Sequence, residues 1–232
     1  MILEKNILFE DNHLLLYNKQ PGMLIQKDKD NNLSLEEFLK DYIRHNTGKS
    51  GNIFLGVVHR IDRPVSGVVL FAKSSKALKR LNQMQQEHKI RKIYWAITAN
   101  IPEQKIGKLE NYIKRNESKN KSYVCSKTSP NAKYALLSYE IIAKSDRYYL
   151  WQIELETGRH HQIRCQLAHI NCPIKGDVKY GFPRPNTDKS ISLHSRKIIL
   201  NHPITNENIV IEAPVPDEKL WKYFEFNTMP KK

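Results

Sequence analysis

The segment His59-Arg60-Ile61-Asp62-Arg63-Pro64-Val65-Ser66 leads directly into Gly67-Val68-Val69-Leu70-Phe71-Ala72. The second part is a continuous apolar run bounded by turn residues, a pattern that predicts a fully buried strand. Asp62 lies between two arginines in the turn before that strand, where an isolated aspartate would most often be a turn former. Neighbouring cations favour the ionised carboxylate, and an ionised, cation-paired carboxylate can act as a nucleophile toward carbon. Asp62 is therefore the first candidate catalytic residue.

A second basic block, Thr157-Gly158-Arg159-His160-His161-Gln162-Ile163-Arg164, runs into a helix predicted over residues 160–170. Backbone N–H groups at the start of a helix favour anions, so the turn at Arg159 is a candidate anion site. Arg164 lies one turn inside this helix, beside apolar positions that indicate a core-facing side. Because a buried arginine needs a carboxylate, we expect Arg164 to pair with Asp62.

Hydrophobic patterning predicts more strands than helices. Ser34 and Glu37 form a capping box that starts one helix, with Gly48 as its stop, and Ser74 or Ser75 starts another. Since the strands do not alternate regularly with helices, we predict an α+β fold, a mixed and mainly antiparallel β-sheet flanked by helices and loops, formed by residues 1–232 as one domain. The predicted strands are 14–17, 67–72, 93–98, 134–142, 148–155, 193–200 and 209–212, the last two closing the chain.

Tyr94 lies in the predicted strand at 93–98, where it alternates with Ile93, Trp95 and Ile97. The alternation puts Tyr94 on the face opposite to these large apolar side chains. Two interpretations stay open from the pattern: a plain core tyrosine, or an aromatic platform on which a base or sugar stacks.

Composition indicates a polyanionic partner. The 232 residues include 38 Lys and Arg against 24 Asp and Glu, a formal charge of +14, although a lysine-rich proteome would produce the same excess. Charge alone does not separate RNA, DNA and anionic lipid.

Three cysteines without framework spacing indicate a reducing compartment. Charges interrupt the apolar runs of residues 1–19 and elsewhere, so we expect neither a signal peptide nor a membrane span, and a cytoplasmic location.

The sequence contains no recognisable metal or cofactor motif. His160, His161 and His169 cluster, but there is no H-E-x-x-H, and Cys165 and Cys172 lack paired partners. The signature of a zinc nucleobase deaminase is missing, and so are the Walker and Rossmann glycine patterns. We therefore expect no metal and no cofactor.

Four motifs, in the expected order over roughly residues 12–215, resemble those of the RluA-type RNA pseudouridine synthases. Three departures affect turn geometry and substrate choice: Val65 replaces the usual threonine, Gln20 separates Lys19 from Pro21, and Gln166 replaces a common histidine. The motifs are Tyr17-Asn18-Lys19-Gln20-Pro21-Gly22, the Asp62 segment, Lys92-Ile93-Tyr94-Trp95-Ala96, and the Arg164 block followed by Pro173-Ile174 and Gly176-Asp177-Val178-Lys179-Tyr180-Gly181.

The resemblance implies a cofactor-free isomerisation of uridine in RNA, in which the N1–C1′ bond is cut, the uracil rotates, and the sugar is rejoined through C5. It implies Asp62 as the catalytic carboxylate and Arg164 as the cation beside it. Tyr94 would stack on the flipped base and serve in proton transfer at C5, with Ile163 as an apolar wall beside it. Arg60 would help to hold the base out of the helix. The residues expected to contact the RNA are Arg60, Arg63, Arg159, His161 and Ile163.

These roles agree with what RNA chemistry demands. A stacked base cannot be reached and must be flipped out, while cations grip the phosphates mostly without reading sequence. The opening motif begins by residue 17, so we expect no N-terminal RNA-binding module. Target choice, in ribosomal or transfer RNA, would then depend on the basic surface of a monomeric catalytic domain, including an exposed insertion predicted at 103–131.

Two other functions are compatible with parts of this pattern. The first is a catalytically inert RNA-binding protein of the same fold, although Asp62, Tyr94 and Arg164 are all retained. The second is a hydrolase using Asp62, which would need a metal cluster or a second carboxylate nearby. Asp177 is the only other acid in the long motifs, and Gly176-Asp177 looks more like a turn.

Overall fold

The computed structural model describes residues 4–27, 32–48 and 51–228, which form eleven β-strands and four α-helices. In chain order these elements are β1 (Ile7–Glu10), β2 (Leu14–Lys19), α1 (Leu35–Thr47), β3 (Gly56–Val57), β4 (Ser66–Ala72), α2 (Ser75–Gln86), β5 (Arg91–Thr98), β6 (Ile106–Asn116), β7 (Lys121–Cys125), β8 (Lys133–Lys144), β9 (Tyr149–Leu155), α3 (Gln162–His169), β10 (Leu193–Asn201), β11 (Asn208–Glu212) and α4 (Lys219–Thr228).

The chain divides into two compact units. The first comprises Met1–Ile90 and Ser195–Pro214, and the second comprises Arg91–His194 and Val215–Lys232. Each unit has its own hydrophobic clusters. That residues 1–232 act as one catalytic domain stays a prediction.

The first unit is organised around β4. Its strands lie in the order β1-β2-β4-β10, with β11 paired to β10 and β3 to β4. The pairs β1–β2, β2–β4, β3–β4 and β10–β11 are antiparallel. All residues of β4 are buried, as its continuous apolar run predicts. Val68 and Leu70 of this strand share a hydrophobic cluster with Ala77 and Leu81 of α2.

Gly67 is required by the close approach of two chain segments. Its φ is +110°, and a Cβ at this position would lie 2.2 Å from the carbonyl oxygen of Ser195 in β10. Neither the backbone conformation nor the space admits a side chain. The glycine therefore lets β4 run against β10 directly after the turn that carries Asp62.

The helix caps predicted from the sequence are confirmed. Ser34 and Glu37 form both halves of a capping box at the start of α1, and Gly48 ends the helix with a φ of 64°. Ser74 caps α2 by accepting the N–H of Ala77 at 3.2 Å.

The second unit has the strand order β5-β9-β8-β6-β7, in which every neighbouring pair is antiparallel. Trp95, Ile97 and Leu150 pack with α4, whereas α3 contributes Cys165 to a cluster with Ile113. The segment 103–131 contains β6, β7 and the turn between them, and β6 also pairs with β8 along its first eight residues. This segment is thus a hairpin built into the sheet of the unit.

Gln166 ties α3 to that hairpin. It is fully buried, and its Nε2 donates to the carbonyl of Leu109 at 2.9 Å and to Oδ1 of Asn111 at 2.8 Å. Gln166, where the resemblance leads us to expect a histidine, therefore joins α3 to β6.

The predicted α+β class with a mainly antiparallel sheet is confirmed, and the observed strands include every predicted one. The expectation that two strands close the chain is wrong, because α4 follows them. This helix is short, and its apolar pattern depends on the aromatic residues Trp221 and Phe224, which its neighbour strands bury. The strands β1 and β3 were not predicted, because with four and two residues they are too short to show a hydrophobic pattern.

Candidate functional site

Asp62 begins a tight turn just before β4. The backbone N–H of Val65 donates to the carbonyl of Asp62 at 3.0 Å, a bond that does not depend on the side chain at position 65. Asp62 is half-buried, while Arg60 and Arg63 on either side of it are exposed. The loss of the family's threonine therefore leaves the backbone of the turn closed.

A buried lysine supports this turn. Lys19, at the end of β2, has no exposed surface, and its Nζ donates to the carbonyls of Gln20, Met23 and Arg63 at 3.0, 3.1 and 3.1 Å. Three acceptors match the three N–H bonds of an ammonium. Burial lowers the pKa of Lys19 to about 7, while the charge of Asp62 opposes that shift. Lys19 is thus a cation that acts on Asp62 from within the same unit.

Two hydrogen bonds join the opening motif to the Asp62 turn. The N–H of Gly22 donates to the carbonyl of Arg63 at 2.8 Å, and Nε of Arg63 donates back to the carbonyl of Gly22 at 3.0 Å. The extra residue Gln20 exposes its side chain and turns its carbonyl toward Lys19. The extra residue Gln20 is therefore accommodated in the opening motif, and the Lys19 ammonium still binds three carbonyl groups.

The histidine of the Asp62 segment anchors the strand that follows. Nε2 of His59 accepts the backbone N–H of Leu70 at 3.2 Å. A ring nitrogen that accepts an N–H is unprotonated, so the proton of a neutral His59 lies on Nδ1. His59 therefore fixes how the segment enters β4, a role that the sequence did not reveal.

The ionisation of Lys19 predicts a pH-dependent stability. We expect the parent protein to gain unfolding free energy relative to Lys19→Met as the pH rises from about 7 to about 10. The unfolded chain keeps its proton on Lys19 across this window, whereas the folded chain releases it near pH 7, and stability rises where the unfolded state binds more protons. The gain is at most about 1.4 kcal/mol per pH unit.

Urea unfolding of both proteins across that pH window measures the difference, with Lys79→Met on the exposed side of α2 as the control. A difference that stays constant with pH would contradict the burial of a titrating ammonium at position 19. Where Lys19→Met folds poorly, direct titration of the Lys19 ammonium by NMR in the parent protein provides the same test.

Tyr94 lies on the face of β5 that the sequence predicts. It is 6% exposed and pairs with Ile153 of β9, whereas Trp95 and Ile97 face the opposite side and pack with α4. Ile163 in α3 is 4% exposed. Both Tyr94 and Ile163 therefore belong to the interior of the second unit.

Arg164 forms a buried bidentate ion pair with Asp177. Its Nε donates to Oδ2 at 2.6 Å and its Nη2 to Oδ1 at 2.9 Å, and the two side chains are 5% and 1% exposed. The guanidinium carbon also lies 5.0 Å from the ring centre of Tyr180. The predicted core-facing orientation of Arg164 is confirmed. The sequence did not reveal Asp177 as the partner of Arg164. The one signal for this pairing was the position of Asp177 in the last motif, three residues before Tyr180.

His161 is held in its neutral form. Burial, together with the charge of Arg164, lowers the pKa of His161 to about 2. Its Nδ1 lies 3.0 Å from the Tyr180 hydroxyl, and its ring stacks on His160 with 3.8 Å between the ring centres. That hydroxyl also accepts the N–H of Ser122 at 2.8 Å. A contact of His161 with RNA would therefore use stacking or hydrogen bonding rather than charge.

The turn before α3 uses the N–H groups of Thr157 and Arg159 internally. The N–H of Thr157 donates to the carbonyl of Leu136 at 3.2 Å, and that of Arg159 donates to Oε1 of Gln162 at 2.9 Å. The exposed Arg159 side chain donates through Nε to the carbonyl of Tyr134 at 2.7 Å. An anion contact at this turn would therefore use the guanidinium of Arg159 and backbone N–H groups other than those of Thr157 and Arg159.

The predicted site residues are divided between the two units. The expected pairing of Asp62 with Arg164 joins residues of different units and stays a prediction. The first unit holds Arg60, Asp62 and Arg63, and the second holds Tyr94, Arg159, His161, Ile163 and Arg164.

In the part of the chain that the structure describes, no three His, Cys, Asp or Glu residues are grouped as metal ligands. None of the helices in that part is both long and apolar enough to span a membrane.

Comparison with known proteins places the chain among relatives of one kind. Residues 13–169 match the family model described as RNA pseudouridylate synthase. The chain is 33% identical to the ribosomal large subunit pseudouridine synthase C of Buchnera aphidicola, covering 93% of this chain and 68% of that one. It is 30% identical to the tRNA pseudouridine synthase C of Vibrio parahaemolyticus, covering 97% of both. The structure of human RNA Pseudouridylate Synthase Domain Containing 4 superposes with a TM-score of 0.79 at 22% identity, covering 99% of this chain and 96% of that one.

Proposed function

This chain belongs to the RNA pseudouridylate synthase family, and we propose that it isomerises uridine in RNA to pseudouridine with Asp62 as its catalytic carboxylate. One observation carries the role of Asp62: it is half-buried in a turn whose backbone the buried ammonium of Lys19 holds. A carboxylate kept in one place meets one requirement for a nucleophile, and Lys19 adds a positive charge near it while it is protonated. The matched residues 13–169 also include Tyr94 and Arg164.

The reaction balances without a cofactor. The N1–C1′ bond breaks, a C5–C1′ bond forms, C5 releases its proton, and N1 gains one. Atoms are neither added nor oxidised, so the protein has to supply a carboxylate near the sugar, a proton acceptor near C5 and a surface that holds the detached uracil. In this proposal Asp62 is that carboxylate, because it is the acid held in the family's specific motif.

Tyr94 is proposed as the surface that holds the uracil and as a participant in proton transfer at C5. Its burial supports this role, since a phenol ring on the face of β5 away from α4 offers a flat, dry surface for a flipped base. Ile163 would supply an apolar wall beside the ring. Arg164 would act on Asp62 as a second cation, oriented by the two hydrogen bonds that its guanidinium makes with Asp177.

RNA contacts are proposed for the exposed cations near these residues. Arg60 and Arg63 flank Asp62 and would meet the strand around the flipped nucleotide, while Arg159 would contact a phosphate in front of α3. His161, which is neutral, would contact a base or sugar. The formal charge of +14 supports a polyanionic substrate.

The substrate is proposed to be ribosomal or transfer RNA, as the names of the two relatives suggest for those proteins. We propose further that the protein works as a monomer in the cytoplasm, without a membrane partner. Its three cysteines are unpaired thiols, which is consistent with a reducing compartment.

Mapping of pseudouridine tests the activity directly. Large-subunit ribosomal RNA and bulk transfer RNA are isolated from cells that lack the gene and are incubated with the purified protein. We expect new pseudouridine at one or a few defined uridines, formed without any added cofactor. RNA that binds the protein but gains no pseudouridine in either fraction would instead favour the inert RNA-binding alternative.

The basic β6–β7 hairpin is proposed to grip the RNA backbone. Of the cations in segment 103–131, Lys121 is half-buried, and those exposed include Lys105, Lys108, Lys114, Arg115 and Lys119. Because β6 is paired on both sides and Gln166 binds its backbone, deleting residues 103–131 would damage the fold. Charge-neutralising substitutions are therefore the appropriate test.

We expect Lys114→Gln/Lys119→Gln to weaken RNA binding and to reduce the slope of log K against log salt by about 0.7–0.9 for each phosphate that is no longer neutralised. The matched control is Lys76→Gln/Lys79→Gln on α2, which removes the same charge from exposed positions of the first unit. Equal slopes for the two double variants would contradict a specific role of the hairpin.

A further inference from the structure

Two adjacent cations on β5 have opposite environments. Arg91 is exposed and is bound by Glu154 through two hydrogen bonds, from Nε at 2.6 Å and from Nη2 at 3.0 Å. Lys92, the next residue, is half-buried. In the parts of the chain that the structure describes, its ammonium makes neither a hydrogen bond nor an ion pair. A cation withdrawn from water without an acid beside it is costly, so the contrast calls for a functional explanation.

Strand alternation puts Lys92 on the same face as Tyr94. Residues two apart on a strand point to one side, at a spacing of about 6.6 Å. On the neighbouring strand β9, Ile153 pairs with Tyr94. The side chains of Ile153 and Leu155 point to the same face of the sheet as those of Tyr94 and Lys92. Glu154 faces the other way and is bound to Arg91. On the β9 side, Lys92 therefore faces apolar and aromatic side chains, and Glu154 points to the opposite face.

We propose that the ammonium of Lys92 binds a phosphate group of the RNA strand, next to the nucleotide whose base stacks on Tyr94. This inference rests on the proposed function and extends it to a contact that positions the nucleotide. Burial lowers the pKa of Lys92, which is consistent with a desolvated cation that gains its counter-charge only when substrate binds.

The chemistry of a nucleotide fits this pair of side chains. Each nucleotide carries a flat base and a phosphate on the two sides of one sugar, and a strand presents a ring and an ammonium two residues apart. An ammonium binds phosphate as a compact point charge with three donors, and the apolar surroundings strengthen that bond because little water competes. Lys92 would thereby fix the distance between the RNA backbone and the ring on which the uracil lies.

Steady-state kinetics on the RNA fraction that gains pseudouridine tests this inference. For Lys92→Met we expect KM to rise about tenfold with kcat nearly unchanged, as for the removal of one charge-assisted hydrogen bond. The slope of log kcat/KM against log salt is negative, and its magnitude should decrease by about 0.7–0.9, as for one phosphate that is no longer neutralised. Lys92→Arg, which keeps the charge, should retain the parent slope.

Arg91→Gln is the matched control, since it removes the same charge from the adjacent residue, and we expect its KM and salt slope to stay close to those of the parent. An unchanged salt slope for Lys92→Met, or a loss in kcat with unchanged KM, would overturn the phosphate contact. The proposed function fails by a different result, namely RNA that binds the parent protein but gains no pseudouridine.

A spectroscopic readout separates binding from a merely structural role. With lysine side chains labelled for NMR, we expect uridine 5′-monophosphate to raise the pKa of Lys92, because a bound anion favours the ammonium. Uridine, which lacks the phosphate, should not raise it. A pKa that stays at its ligand-free value with saturating nucleotide would refute the proposal, even if Lys92→Met lowers the activity.

Discussion

Asp62→Asn is expected to lower pseudouridine formation to below about one thousandth of the parent rate, as the loss of a nucleophile does in other enzymes. Asparagine has nearly the same shape but carries no charge, so it cannot act as a nucleophile toward the sugar. The turn should survive the substitution, because the bond that closes it runs between the backbone of Asp62 and that of Val65. RNA binding should also survive, since cations that contact phosphates supply most of the affinity.

The measurements are the rate of pseudouridine formation in ribosomal and transfer RNA and the affinity for the same RNA. Asp146→Asn is the control, because Asp146 is an exposed acid outside the motifs and its substitution changes the net charge equally. Turnover that persists in Asp62→Asn would remove the carboxylate from the mechanism. Loss of RNA binding alongside turnover would assign Asp62 a structural role instead.

Asp177→Asn is expected to destabilise the protein by about 3–5 kcal/mol, because it removes the carboxylate that binds the buried guanidinium of Arg164 through two hydrogen bonds. The two side chains are 5% and 1% exposed and joined by two hydrogen bonds of 2.6 and 2.9 Å, so water cannot easily replace the carboxylate. For a chain of this size the melting temperature should fall by on the order of 10 °C. Turnover should fall as well, because the guanidinium loses the bonds that orient it.

A double variant separates the packing role of this ion pair from its catalytic role. Replacing both residues in Arg164→Met/Asp177→Leu removes both buried charges, and such replacements are often close to neutral for stability. We expect the double variant to recover most of the stability that Asp177→Asn loses, yet to remain inactive. Recovery of turnover together with stability would show that Arg164 serves the fold alone, and additive losses would show that the pair is not coupled.

The local features of this chain were predictable because they depend on neighbours in sequence. Ser34 and Glu37 form the predicted capping box since both groups lie on one helical turn. Tyr94 faces away from Trp95 because side chains alternate along any strand. The apolar run of β4 indicated its complete burial. The motif residues were enough to identify the family.

The partners of the site residues could not be predicted in the same way. Arg164 was expected to need a carboxylate, and the structure supplies Asp177, which the sequence pattern marked only as a turn residue. Lys19 is one residue of the opening motif in the sequence, yet its ammonium holds the backbone at Arg63. That Glu154 of β9 faces away from Lys92 becomes visible only when β9 is placed beside β5.

By itself, the sequence determined the family, the fold class, the helix caps and the candidate residues Asp62, Tyr94 and Arg164, since each of these leaves a local or motif-level pattern. Tertiary structure alone decided which partner each buried charge binds. The contact from Lys19 to Arg63 spans 44 residues of chain and that from Arg164 to Asp177 spans 13. Such contacts depend on how strands and helices pack, and a buried charge takes whichever partner that packing brings within hydrogen-bond distance.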